Sequence, residues 1–98
     1  MLEKRDFFIN GEWVKSQGGT DHHVIDPSTE EPTAVITLGS EADTNAAVAA
    51  AKAALPAWMT TPVEERIAYV SKLIEVYESR AEDLTVVMSA EMGAPISM

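Results

Sequence analysis

Cysteine is absent from the 98 residues. A disulfide framework, a thiolate metal site and a cysteine nucleophile are therefore excluded within this stretch. Aromatic residues are scarce, at 6%, so a core has to be assembled from Ala, Val, Ile and Leu. Basic residues are also few: 7 Lys and Arg stand against 16 Asp and Glu, for a net charge of −9. A surface of that sign repels phosphate backbones and anionic lipid heads, so neither nucleic acid nor a membrane surface is expected as a partner. No apolar run is long enough to span a bilayer or to form a signal peptide, and a cytoplasmic chain is expected. What the sequence does have is a hydrophobic fraction of 46%. That is too high for a disordered chain and fits one small domain or part of a larger one.

The first 39 residues carry strand signals. In "DFFINGEWV" the Asn10-Gly11 pair favours a two-residue type I′ turn, and Phe8, Ile9, Trp13 and Val14 around it read as a β-hairpin. "KSQGGTD" reads as a loop. Val24 and Ile25 form a short apolar pair before Asp26-Pro27, where Pro27 forces Asp26 into an extended conformation. Thr33 to Leu38 is a β-branched run and a further expected strand, closed by Gly39.

From residue 40 the pattern turns helical. Ser40 with Asp43 three residues on predicts a capping box. Ala47, Val48, Ala51, Ala54, Leu55 and Trp58 recur at helical spacing, and Pro56 is expected to end or kink that helix. Thr61 as N-cap, Pro62 and Glu64 predict the start of a second helix, with Val63, Ile67, Val70, Leu73, Ile74 and Tyr77 as its buried stripe. A third is expected over Ala81 to Met92, with Leu84, Val87 and Met88 inward, Gly93 as C-cap and Pro95 beyond it. The fold class is thus α+β: a hairpin and short strands over 1–39, then three amphipathic helices over 40–98. Trp58 is expected to be buried, so that its replacement by Ala costs about 3–5 kcal/mol. Trp13, on the hairpin, is expected to cost roughly 1 kcal/mol.

Candidate chemistry is thin. His22 and His23 are neighbours, and on an extended backbone their side chains point to opposite faces, which suits an exposed polar segment better than one metal. The glycines lack the spacing of a phosphate-binding loop. The amides after Ser40 could bind an anion, but Ser40 itself is the expected acceptor. Glu30-Glu31, Glu64-Glu65 and Glu82-Asp83 sit at turns and helix starts, where acids complement the helix dipole. No nucleophile, base and orienter can be assembled from these residues.

The ordered set "FINGEWV", "VIDPSTEEP", "VITLGSEADTNAAVAAAKAA" with Trp58, "ERIAYVSKLIEVYESRAEDL" and "EMGAP" resembles the amino terminus of aldehyde dehydrogenases, from Phe8 to Pro95. The resemblance implies an amino-terminal portion of the α/β cofactor-binding domain of an NAD(P)-dependent enzyme. Such enzymes oxidise an aldehyde to a carboxylic acid through a cysteine thiohemiacetal. It also implies that the catalytic cysteine, the glutamate base and the residues holding NAD or NADP lie beyond position 98. No catalytic or cofactor-binding residue is expected here, and the chain alone is expected to be inactive. One family site falls partly inside: a monovalent cation held by the carbonyls of Val24 and Ile25 and the carboxylate of Glu91. The parent is expected to take an aldehyde substrate and to be a homo-oligomer. The competing reading is a free-standing acidic α+β module that binds a protein partner through its helices. Unmatched apolar stripes predict self-association or marginal stability of the isolated chain.

Overall fold

The computed structural model describes residues Met1–Met98. A short strand, β1 (Leu2–Lys4), precedes the hairpin of β2 (Phe7–Ile9) and β3 (Glu12–Val14). Asn10 and Gly11 both take positive φ, 54° and 78°, as a type I′ turn requires. Phe7 then pairs with Val14 and Phe8 with Trp13, and the Phe8 and Trp13 rings meet 5.2 Å apart.

β4 (Thr20–Ile25) and β5 (Pro32–Leu38) form the second sheet with β1. β5 is central, antiparallel to β4 and parallel to β1. β4 takes in Thr20 and Asp21, expected as loop, because each finds a partner on β5, Leu38 and Thr37. β1 was without a sequence signal, since two of its three residues are charged. Its pairing of Leu2 with Ala34 and Lys4 with Ile36 comes from the long-range fold. Adjacent strand residues face opposite sides. Burial of both Ala34 and Val35, the latter 2% exposed, therefore means that the centre of β5 is covered on each face.

Two close approaches fix the backbone. A Cβ on Gly19 would lie 2.6 Å from the Leu38 carbonyl, so only glycine lets β4 start beside the end of β5. Gly93, at φ 73°, would put a Cβ 2.9 Å from Pro27 Cγ. The chain between β4 and β5 is itself a hydrogen-bonded turn, with Ser28 N–H donating to Asp26 Oδ1 at 2.8 Å and Asp26 N–H to the Glu31 carbonyl at 3.0 Å.

Three helices follow: α1 (Glu41–Thr60), α2 (Val63–Ser79) and α3 (Ala81–Met92). Pro56 does not end α1, which runs four residues further. Proline removes one backbone donor, and the last turn is reinforced by hydroxyls: Thr60 Oγ1 donates to the Ala57 carbonyl at 3.1 Å and Thr61 Oγ1 to the same oxygen at 2.8 Å. That bond also accounts for a second correction. Thr61 is committed to the end of α1, so the box expected with Glu64 does not form and α2 begins after Pro62 with no side-chain cap. α3 has the expected bounds, and Gly93 closes it in the left-handed conformation.

The expected buried stripes are not buried. Val63, Ile67, Val70, Leu73, Ile74 and Tyr77 on α2 and Leu84, Val87 and Met88 on α3 are all exposed. So are Val48 and Leu55 on α1, and Trp58 at 44%. Trp58 meets Tyr69 at 6.0 Å between ring centroids, and both rings stay exposed. The principal extents are 49 × 37 × 15 Å: the chain is a thin plate, and over α2 and α3 no second layer covers such stripes.

Candidate functional site

The strongest polar construction in the chain is built around Asp43, 6% exposed and the only buried charged residue. Ser40 starts α1 with both bonds of a capping box: Asp43 N–H donates to Ser40 Oγ at 3.2 Å, and Ser40 N–H to Asp43 Oδ2 at 2.9 Å. The same carboxylate accepts from two residues of the segment between β3 and β4. Ser16 Oγ–H donates to Asp43 Oδ2, and Gln17 N–H to Asp43 Oδ1 at 2.7 Å. Ser40 Oγ–H returns a bond to the Gln17 carbonyl at 2.6 Å, and Gly19 N–H donates to Ser16 Oγ at 2.9 Å. The Ser16 hydroxyl, followed by the Gln17 and Ser40 amides, holds the Asp43 carboxyl at about 2, below its ordinary value of 3.8, because each bond favours the ionised form.

Chemically this is a latch. The carboxylate accepts from three chain donors, and the Asp43 amide of α1 is turned to its own cap. The sequence foretold the Ser40–Asp43 half through its spacing. It did not foretell Ser16 and Gln17, because a polar residue in a Gly-rich loop carries no mark of its distant partner. Phe7 lies against the same helix start, its ring 3.5 Å from where a Cβ on Gly39 would be.

The other candidate residues lie elsewhere. His22 and His23 are adjacent on β4, opposite Ile36 and Val35, exposed and on opposite faces. No group of three or more His, Asp or Glu side chains converges on a point. Val24 and Ile25 end β4, where the pairing shifts by one residue and Ile25 comes opposite Pro32. Proline has no N–H to offer the Ile25 carbonyl. Glu91 is exposed in the last turn of α3, and the Gly93–Pro27 approach brings that turn beside the one following β4. The three residues thus sit on neighbouring segments.

The five glycines are accounted for without a phosphate: a hairpin turn, a loop pair, the β5–α1 junction and a helix end. None of the glycines forms a cradle that fits a dinucleotide. No helix is long and apolar enough to cross a membrane. α2 and α3, joined by Arg80 alone, enclose an apolar groove of about 360 Å³ lined by Leu73, Val76, Tyr77, Leu84 and Val87, with Arg80 and Asp83 at its rim. At the other end of α2, beside Trp58 and Val63, Arg66 Nε is buried with no hydrogen-bond acceptor.

The sequence model of the aldehyde dehydrogenase family matches residues 13–98. A 3-succinoylsemialdehyde-pyridine dehydrogenase of a Pseudomonas species is 33% identical over 96 residues, which is 98% of this chain and 20% of the relative. Among solved structures, an aldehyde dehydrogenase from Bartonella henselae is 51% identical and superposes with a TM-score of 0.97, over 100% of this chain and 21% of that one. Aldehyde dehydrogenase C of Pseudomonas syringae, solved as a variant with NAD+ and octanal, is 39% identical with a TM-score of 0.92, over 95% of this chain and 19% of that one. The chain therefore spans about one fifth of the length of the relatives it matches. The strands, the capped α1 and the αL-terminated α3 are features of the amino-terminal part of that fold, and the chain belongs to the aldehyde dehydrogenase family.

Proposed function

We propose that this chain supplies the first part of the cofactor-binding half of an NAD(P)-dependent aldehyde dehydrogenase, as scaffold and not as chemistry. The observation that carries the reading is the superposition along the whole chain on one fifth of the Bartonella henselae enzyme, at 51% identity. The reaction of the whole enzyme is oxidation of an aldehyde to a carboxylic acid at a cysteine thiol that this chain lacks. NAD(P), when bound there, accepts the hydride. The residues present here hold the geometry: Asp43 locks the 16–19 segment to α1, and the Asp26–Glu31 turn receives the end of α3.

The test is a chimera in which this chain replaces the matching first fifth of the Bartonella henselae enzyme. Aldehyde-dependent NADH formation by the chimera, with none from the isolated chain, is the expected result. A chimera that folds and binds NAD but does not oxidise aldehyde would falsify the reading.

The same reading extends to a monovalent cation held by the Val24 and Ile25 carbonyls and the Glu91 carboxylate. Its support is the missing donor opposite Ile25 and the nearness of the end of α3 to Pro27. A thermal midpoint of the chimera that rises with K⁺ or Na⁺ but not with choline, and loses that response in Glu91→Gln, is expected. The division at residue 39, a cytoplasmic location and a homo-oligomeric parent belong to this proposal as well; sedimentation of the chimera checks the last. The exposed groove between α2 and α3 favours one other reading, a free-standing protein-interaction module. An inactive chimera together with stable binding to an unrelated folded partner would support that instead.

A further inference from the structure

The chain has two asparagines, Asn10 and Asn45, both exposed, and the fold gives their carboxamides opposite surroundings. Asn45 lies inside α1, where each amide is engaged by the carbonyl four residues back and the next residue, Ala46, carries a side chain. Asn10 is the first central residue of the β2–β3 turn, at φ 54°. The next nitrogen belongs to Gly11, whose N–H donates to no acceptor. A Cβ on Gly11 would meet nothing within 4 Å, so neither a side chain nor a neighbour shields that nitrogen. The hairpin around it is two strands of three residues, an assembly that opens readily at its turn. Opening frees rotation about the Asn10 backbone and brings its side-chain carbon onto the Gly11 nitrogen.

We propose that Asn10 is a self-modification site, at which the Gly11 amide converts the carboxamide to an acid without an enzyme. The Gly11 nitrogen, its proton lost to hydroxide, bonds to Asn10 Cγ. The Cγ–Nδ2 bond breaks, ammonia leaves, and a five-membered succinimide remains. Water then opens the ring. Cleavage of the Cγ–N bond gives aspartate, and cleavage of the other carbonyl–N bond gives isoaspartate. Water is the one co-reactant, and nothing is oxidised or reduced. The products differ in effect. Aspartate keeps the backbone length and is accepted before glycine in a type I′ turn, so the hairpin survives. Isoaspartate adds a methylene to the backbone of a two-residue turn whose length sets the register. It therefore separates Ile9 from Glu12 and the Phe8 ring from Trp13.

The experiment stores the folded chain at neutral and at alkaline pH and follows it by tryptic peptide mass spectrometry. Residues 6–15 form one tryptic peptide and residues 16–52 another, so the two asparagines report separately. The expected result is complete passage of the first peptide into two acid isomers, with an equal amount of ammonia released and a rate that rises in proportion to hydroxide. The second peptide stays unchanged. The near-ultraviolet circular dichroism of the Phe8–Trp13 pair falls with the isoaspartate fraction, whereas Asn10→Asp retains it; a signal that does not follow that fraction overturns the register effect. An Asn10 peptide that stays intact while the urea-unfolded chain converts completely overturns the proposal, because the turn then protects the carboxamide. Conversion of Asn45 at the same rate overturns the assignment to the turn.

Discussion

The sheet end of this molecule and its α2–α3 end meet the same demand, removing apolar groups from water, in opposite ways. Around β5 the chain covers itself. Val35 is out of water, strands flank it on both sides, and the segments entering β4 and leaving β5 are tied together by Asp43. In α2 and α3 no residue is buried, although every third or fourth residue is apolar. A helix satisfies its own backbone, so it can be drawn by local bonds while its side chains remain without neighbours. A strand cannot, and exists only where a partner strand is present. A helix of 12 residues such as α3 is marginal in water by itself, so the helical end draws less support from its own packing than the sheet end does.

That contrast can be broken most severely at Asp43. Asp43→Ala leaves the Ser16 hydroxyl and the Gln17 and Ser40 amides without their acceptor and is expected to remove cooperative unfolding of the sheet altogether, read as loss of a sigmoidal urea transition in near-ultraviolet circular dichroism. The pH dependence has the same origin. The folded carboxyl is held at about 2 against an ordinary 3.8, so the latch contributes fully above about pH 4 and its contribution disappears as pH falls toward 2. Urea midpoints across that window should fall in the parent; a flat profile would show that the latch does not stabilise the fold.

Next in size is Val35→Ala, about 2–3 kcal/mol from lost burial and the cavity left behind, again measurable by urea unfolding. Gly93→Ala forces a side chain into a left-handed conformation and against Pro27. A loss of roughly 1–2 kcal/mol is expected, with α3 fraying in amide exchange before the sheet does. Ser40→Ala should cost about 1 kcal/mol as a lost N-cap. At the bottom of the scale, Trp58→Ala, half-exposed here, should cost no more than about 1 kcal/mol, and Val76→Asp should stay within about 0.5 kcal/mol in the isolated chain. If Trp58→Ala proved as damaging as Val35→Ala, the two ends would not differ as described.

What could be read from the sequence follows the range over which each signal acts. Asn10-Gly11, the Ser40–Asp43 spacing and the Gly93 C-cap are local chemistry, and each appears in the structure as expected. Thr61 was a fair N-cap by type, but two helix ends compete for one hydroxyl, and α1 takes it. β1 and the first residues of β4 are strands only because β5 is beside them, which no window of a few residues can register. The apolar stripes were correctly located on the helices, but burial is a property of what faces a stripe. Half of the Asp43 site was legible because half of it is local; Ser16 and Gln17 enter from 27 and 26 residues away.

The parallel pairing of β1 with β5 also sets an order of events during synthesis. Leu2 waits for Ala34 and Lys4 for Ile36, and the latch needs only to reach Asp43. Once that short length has left the ribosome, every strand of the sheet and every partner of its buried carboxylate is available. At about 5–20 residues per second, the sheet has several seconds in which to close before most of a full-length relative has been made. Stalled nascent chains extended just past Asp43 should resist protease across β4 and β5, whereas chains stopped before Thr33 should be cut there freely. The sheet is thereby complete early in synthesis, and the α2–α3 face emerges after it.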